Sequence, residues 1–541
     1  MGMIKNWAKF TALTVVAASV LAGCNTNNNN NGASSTNTNS GTNTETPAAN
    51  VTAEAYKPFA KEMTAVIQTR MWGTLPQNDN QLELELEKKL NTKLDIQFVP
   101  ADKIEQYIDR VNVQLASKNL PDAVEIVLGD NVNFPAQTYQ AIKGGAFFDL
   151  TPLIESEDFA TKYPELAKIP KEYWEYMKVD GKIYGIPKGI AYNQFVQSST
   201  RIRQDLLTQM NLKAPATTEE LAELLTKLTN PPERYGLNFD RGHFHAQDLA
   251  PIAASFTGIH APWGMDGEGN FIYRDFVPEY KDFLQWVKTL VEKKAINPEF
   301  ALAQPTSFIK KGKSGVVLGD MYDWLHLPQF GIKYFEDGVQ DNPELVAYGP
   351  VKGPKGYAIN ASKPFDVAWV INEKYGKEGA ERILEIANYT ATKEYLDFAK
   401  NPIENVYYTI QDGKKVETPK YKDDAVWIYQ NFMGATATVP WQLGAAKDFN
   451  KPEYTKTIEE LETKLKSIVE ENKISYPTIG LNAPTYDDKW KALTKDLDNN
   501  SVKVVMGAMS FEDWDKYVAS IVNNETYKQI QEEFKTSYQA K

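Results

Sequence analysis

This 541-residue chain is poor in the side chains that carry most enzyme and metal chemistry: it has one cysteine, Cys24, and four histidines, His243, His245, His260 and His326. A single thiol excludes any internal disulfide, so stability must come from a large core. His243 and His245 flank Phe244 and could face one side of a strand, but no third ligand follows at metal-binding spacing, and no metal or other cofactor is expected. No Gly-x-Ser-x-Gly elbow is present to expose a nucleophile. The stretch Asp266-Gly267-Glu268-Gly269-Asn270 opens like a calcium loop, yet its twelfth position is Val277 where a bidentate Glu is needed, so a hairpin turn before Phe271 explains it better. There is no Lys/Arg block, and 71 acidic residues outnumber 59 basic ones, for a formal charge of -12. Nucleic acid and anionic lipid surfaces are therefore poor partners.

Nor is there an apolar run long enough to span a bilayer comfortably. The longest candidate, residues 10–21, follows Lys5 and Lys9 and ends in Leu21-Ala22-Gly23-Cys24. A basic start, a short apolar middle and small residues before a cut site describe a secretory signal peptide. Leu-Ala-Gly-Cys is similar to the lipobox of bacterial lipoproteins, in which the thiol takes a diacylglyceryl group and the chain is cut before it. Two acyl chains suffice for stable anchoring. The expectation is a signal peptide over 1–23, lipidation at Cys24, and residence on the outer face of the cell membrane. Loss of Lys5 and Lys9 takes the formal charge to -14.

Residues 25–50 are nearly all Asn, Thr, Ser and Gly. Such a segment has nothing to bury, and 24–58 reads as a solvated tether. A flexible chain of that kind spans roughly 25–30 Å. From residue 64 the pattern becomes strand, loop, helix: strands at 64–68, 94–99 and 123–128, helices at 81–90 and 104–116. A second block begins after Pro187, with helices at 218–228 and 280–291 and a buried strand at 314–318. Helices dominate afterwards, at 377–389, 454–472 and 511–538 with interruptions. Strands alternating with helices imply a largely parallel sheet covered on both faces. The length exceeds one core, so two lobes are expected.

The aromatics are the most suggestive side chains. Trp72, Trp263, Tyr322, Trp324 and Trp441 lie in loops, several of them at strand ends. In open α/β sheets, ligands bind in the crevice beyond the carboxyl ends of the strands. Flat rings there suit the C–H faces of sugars, with Asp, Asn and Arg for the hydroxyls.

Several stretches, taken in order, resemble one family. They are Asn119-Leu120-Pro121-Asp122 before a buried strand, the run from Gly144 to Leu153, Asp180-Gly181-Lys182-Ile183-Tyr184-Gly185-Ile186-Pro187, Ile202-Arg203-Gln204-Asp205, and the ending Met506-Gly507-Ala508-Met509-Ser510-Phe511-Glu512-Asp513-Trp514. Together with the lipobox they resemble the extracellular solute-binding lipoproteins of bacterial ABC importers, the long LplA-like carbohydrate binders of family 1. The resemblance implies an α/β, two-lobed, periplasmic-binding-protein-like (type II) fold with a hinge and an interlobe cleft. Lobe 1 would comprise 59–190 plus 340–392, and lobe 2 would comprise 191–339 plus 393–541. It implies a monomeric, non-enzymatic receptor for a small molecule or oligosaccharide, presented to ABC permease subunits. Carried over by position, Trp72, Asp130 and Asn131 would line the first lobe's edge, Arg203, Tyr322 and Trp324 the second, and Tyr192 the hinge. His243, Trp263 and Trp441 complete the candidate ligand set. A calcium loop found in many relatives is absent at 229–236, so no bound calcium is expected. A surface glycan-degrading enzyme and a sugar-sensing receptor subunit are the alternatives.

Overall fold

The elements follow from local chemistry that can be read residue by residue. In the computed structural model, described at residues 56–71, 75–100, 104–188, 198–239, 249–301, 311–319, 345–433 and 452–540, the first strand, β1, covers Met63–Met71. The helix Gln81–Leu90 follows, capped by Asn80, whose side chain accepts from the Glu83 amide. It buries Leu82, Leu86 and Leu90 on one face. Strand β2 spans Thr92–Pro100, the helix Ile104–Ser117 returns the chain, and β3 covers Ala123–Val127. A short hairpin, β4 (Lys178–Val179) and β5 (Lys182–Ile183), leads into β6, Ile186–Lys188.

Beyond residue 198 come β7 (Ser199–Arg203), β8 (Tyr235–Leu237), the hairpin β9 (Trp263–Met265) and β10 (Phe271–Tyr273), and β11 (Ser314–Gly319). Then follow β12 (Leu345–Tyr348), the small pair β13 (Lys352–Gly353) and β14 (Gly356–Tyr357), and β15 (Val367–Ile371). A last hairpin joins β16 (Tyr408–Gln411) to β17 (Lys414–Glu417). The turn between β9 and β10 is the expected one: Asp266 Oδ1 accepts from the amides of Glu268 and Asn270 at 2.9 and 2.8 Å.

Two sheets organise the chain. The first has the order β2-β1-β3-β15-β6. Strands β1, β2 and β3 are parallel, while β15 runs against both β3 and β6. The carboxyl ends of β1, β2, β3 and β6 therefore share an edge with the amino end of β15. The second sheet has the order β12-β7-β11-β8. The expectation of parallel strands fails there, because β7 is antiparallel to both β11 and β12. Only β8 and β11 keep the parallel relation, with a helical crossover between them.

Each sheet has its own apolar core, and a third forms where the β9–β10 hairpin meets the C-terminal helices. The packing divides the chain differently from the expected lobe boundaries at two places. Tyr395, Tyr407, Tyr429 and Phe432 belong to the first sheet's core although they fall within 393–541. The helix Lys393–Lys400 follows directly on Gly376–Thr390, and its apolar face continues the same buried surface. Conversely, β12 lies within 340–392 but its backbone bonds go to β7 in the second sheet.

Helix Gln81–Leu90 supplies a direct check. Replacing Leu86, fully buried, by Ala is expected to cost about 2–5 kcal/mol in denaturant unfolding. Val113, 67% exposed, should tolerate Thr within about 0.5 kcal/mol.

Candidate functional site

Glu125 is the anomaly in an otherwise apolar strand. It occupies the middle of β3, between Val124 and Ile126, with its side chain 1% exposed. An isolated carboxylate in such a place is costly, so it must be paired. Arg70 Nε from β1 lies 2.6 Å from Glu125 Oε1. Lys188 Nζ, at the end of β6, lies 2.7 Å from Oε2. The Thr69 hydroxyl donates to Oε2 at 2.8 Å. Burial pushes the Glu125 carboxyl up, but Lys188 and Arg70 outweigh it and hold it below the usual carboxylate range. Arg70 also reaches Asp366, just ahead of β15, at 3.0 Å.

These groups line a cavity of about 270 Å³ at the shared sheet edge. Its other walls are Phe98, Val367, Trp427, Ile428 and Phe432. Trp427 and Ile428 ride on the 3-10 turn Val426–Asn431, which is fixed from behind by a buried polar network. The Tyr429 hydroxyl accepts from Asn80 Nδ2 at 2.8 Å and donates to Glu83 Oε2 at 3.3 Å. The Tyr395 hydroxyl donates to the Tyr429 carbonyl at 2.6 Å, and the Tyr429 ring meets Phe98 edge-on with centroids 5.9 Å apart. Burial pushes Glu83 up to about 7 against the Tyr429 hydrogen bond. The arrangement offers fixed hydrogen-bonding groups beside aromatic surface, which is binding chemistry. A glycosidase-type general acid needs a raised carboxyl pKa, and Glu125 is held in the opposite direction.

Four of the expected ligand residues are described. Trp263 does not line a cleft: it is 1% exposed, packed among Tyr273, Tyr486, Trp490, Tyr527 and Phe534 at centroid distances of 5.1–6.1 Å. Its loop setting in the sequence concealed a hairpin strand whose inner face meets the C-terminal helices. Arg203 is equally committed, to both Asp205 oxygens at 2.8 and 2.5 Å and to the Gly312 carbonyl at 3.1 Å. The register sets Gly319 opposite Ser199. Arg203 therefore sits at the far end of the second sheet from the carboxyl end of β11. Asp130 and Asn131 follow β3 and bind the C-terminal segment. Asp130 Oδ2 accepts from the Tyr486 hydroxyl at 3.0 Å, and the buried Asn131 carbonyl accepts from the Gly480 amide at 2.6 Å. Tyr486 thus joins Asp130 to Trp263, while Arg203 stands apart. Cys24, Trp72, Tyr192, His243, Tyr322, Trp324 and Trp441 lie outside the described residues.

Thr69, Arg70, Phe98, Glu125, Lys188, Asp366 and Trp427 were not anticipated. The available signals were a glutamate inside the apolar run 123–128 and a lysine directly after Gly185-Ile186-Pro187. Among the described residues, no three His, Cys, Asp or Glu side chains converge as metal ligands, and no helix is long and apolar enough to cross a membrane.

A family profile described as "Bacterial extracellular solute-binding protein" matches residues 85–368, more than half of the chain. The chain belongs to that family. The family's members are binding proteins, in agreement with the non-enzymatic expectation. Among curated proteins, the chain is 27% identical over 472 residues to the polygalacturonan/rhamnogalacturonan-binding protein YtcQ of Bacillus subtilis strain 168, covering 84% of this chain and 88% of that one. It is 25% identical over 280 residues to the fructooligosaccharide ABC transporter substrate-binding protein FusA of Streptococcus pneumoniae, 47% of this chain and 49% of that one. Among solved structures, the calcium-free alginate-binding protein AlgQ2 aligns with a TM-score of 0.59 at 18% identity, over 89% of this chain and 98% of the other. An extracellular solute-binding protein from Bifidobacterium longum subsp. infantis aligns equally well, at 17% identity over 88% and 98%. The two-lobed type II architecture is thereby the fold of this chain.

The buried carboxylates yield two opposed pH slopes. Glu125 binds its proton less tightly folded than unfolded, so its stabilisation is present above about pH 4.3 and lost as pH falls through its lower folded value. Glu83 does the reverse: its proton is held up to about 7, so stability falls as pH rises from about 4.3 to 7. In urea titrations across pH 3–8, Glu125→Gln should flatten the acid limb and Glu83→Gln the limb between pH 5 and 7. Glu125→Ala, which removes the buried carboxylate that Lys188 and Arg70 share, should cost about 3–5 kcal/mol at neutral pH.

Proposed function

We propose that this chain is the membrane-anchored receptor of an ABC importer, and that it binds a carbohydrate, in particular an oligosaccharide, by closure of its two lobes. The observation that carries the ligand class is the cavity beneath Trp427 and Phe98. Aromatic surface and a fixed Arg70–Glu125–Lys188–Asp366 array stand together at the carboxyl ends of the first sheet's strands. Apolar walls with a few convergent polar groups at that edge are the usual form of a small-molecule site in α/β proteins. The relatives support the same class, since YtcQ is named for polygalacturonan and rhamnogalacturonan and FusA for a fructooligosaccharide.

Closure follows from differential affinity. A sugar held by both lobes stabilises the closed form by the contacts that the open form lacks. The second sheet contributes an edge where β7 enters and β11 leaves, flanked by Ser198 and Gly319. Trp72, Tyr192, His243, Tyr322, Trp324 and Trp441 are proposed to complete the site. Cys24 is proposed as the lipidated residue, with the Asn/Thr/Ser-rich 24–58 segment as the tether. The working receptor is proposed to be a monomer that docks on permease subunits at the extracellular face.

Two measurements test this reading. An oligosaccharide that binds should shrink the radius of gyration in X-ray scattering and change tryptophan emission, and Trp427→Ala should weaken it about tenfold or more, the scale of a lost stacking contact. Failure of every glycan to alter either signal refutes the receptor function. Separately, cells fed radiolabelled palmitate should label the wild type, and Cys24→Ala should lose the label and appear in the medium. Persistent labelling of the variant refutes the anchor.

A further inference from the structure

The charge balance of the cavity specifies its ligand further, and this step rests on the receptor reading above. Four charged side chains line it: Arg70 and Lys188, Glu125 and Asp366. Their formal charges cancel. Both cations are turned inward on the same buried carboxylate, Arg70 Nε at 2.6 Å and Lys188 Nζ at 2.7 Å from Glu125. Lys188 also lies 5.1 Å from the centroid of the Trp369 ring, so its charge is shared with an aromatic face as well. The side chains of Arg70 and Lys188 are 13% and 14% exposed, whereas that of Asp366 is 44% exposed. Of these four charged groups, the anionic Asp366 is the most exposed to solvent.

We propose that this cavity selects an uncharged sugar residue and rejects a uronate, with Asp366 as the specificity-determining group. A neutral ring can donate vicinal hydroxyls to the Asp366 carboxylate and accept from the guanidinium that Asp366 orients, while its C–H face meets Trp427. A carboxylate on the ring would meet Asp366 as a like charge, and Arg70 and Lys188, already shared with Glu125 and Asp366, would offset it less than uncommitted cations could. The cavity volume of about 270 Å³ falls just under the roughly 300 Å³ at which pockets begin to engulf drug-sized ligands, which suits one ring with the remainder of the glycan outside. On this point the chain parts from the relative named for polygalacturonan, a polymer of uronic acid.

The test is calorimetric titration of full-length, detergent-solubilised protein with an array of neutral tri- and tetrasaccharides alongside trigalacturonate and trimannuronate. At least one neutral glycan should bind tenfold or more tightly than either uronate. Asp366→Asn should narrow that ratio about tenfold or more, weakening the neutral ligand and strengthening the uronates, and Asp366→Glu should restore the preference. Since Asp366 is 44% exposed, each variant is expected to stay folded, which its melting curve checks. Uronates binding as tightly as every neutral glycan, or a ratio unmoved by Asp366→Asn, overturn the selectivity and leave the receptor function standing. Binding of no glycan overturns both.

Discussion

A carboxylate with almost no access to water, placed in the central strand of a sheet, constrains everything around it. Glu125 can stay ionised there only because Arg70 and Lys188 reach it from β1 and β6, on either side of β3 and β15. That requirement fixes the relation between strands that come from the start of the chain, from residue 188 and from beyond residue 366. It also keeps two long cationic side chains bent inward beside the sheet edge. A cavity lies beside them, and the turn carrying Trp427 supplies one of its walls.

That wall depends on a second layer of buried polarity. Asn80 caps one helix and bonds to Tyr429, Glu83 of that helix accepts from the same hydroxyl, and Tyr395 holds the Tyr429 backbone. Each polar group is satisfied by another that is itself fixed, so the aromatic wall is held before any ligand arrives. Preorganisation of this kind lowers the ordering cost of binding. The aromatic cluster around Trp263 serves a different purpose. Through Tyr486 it couples the β9–β10 hairpin and the C-terminal helices to the turn after β3, where Asp130 and Asn131 sit. Trp263, expected as a ligand platform, is thus part of that packed cluster.

Much of the fold was legible locally. The helix Gln81–Leu90 announces itself by its leucine spacing, Thr218–Lys227 by Thr217 at its N-cap, and Phe511–Val522 by Ser510 bonding to Asp513. Strands β1 to β3 were readable because β1 and β3 carry short apolar runs and β2 alternates apolar with polar residues. The antiparallel course of β7 was not, since strand direction depends on where the chain re-enters the sheet and leaves no periodic mark. The candidate site was less legible still. Its members come from six separate segments, and each by itself looks like an ordinary strand or turn residue. Only Glu125, a charge within an apolar strand, and Lys188, directly after Gly185-Ile186-Pro187, stood out in principle.

The sequence by itself settled what depends on neighbours within a few turns: the element types, the leader-like start, the acidic and nearly thiol-free character, and the ordered motifs that mark the family. Tertiary structure alone decided which aromatics are core, which strands run antiparallel, and which charges meet. The physical reason is the range of the interactions. Arg70 and Asp366 are 296 positions apart, and Asn80 and Tyr429 are 349 apart. Pairings over such distances are chosen by burial and electrostatics when the sheets assemble, and no local pattern encodes them.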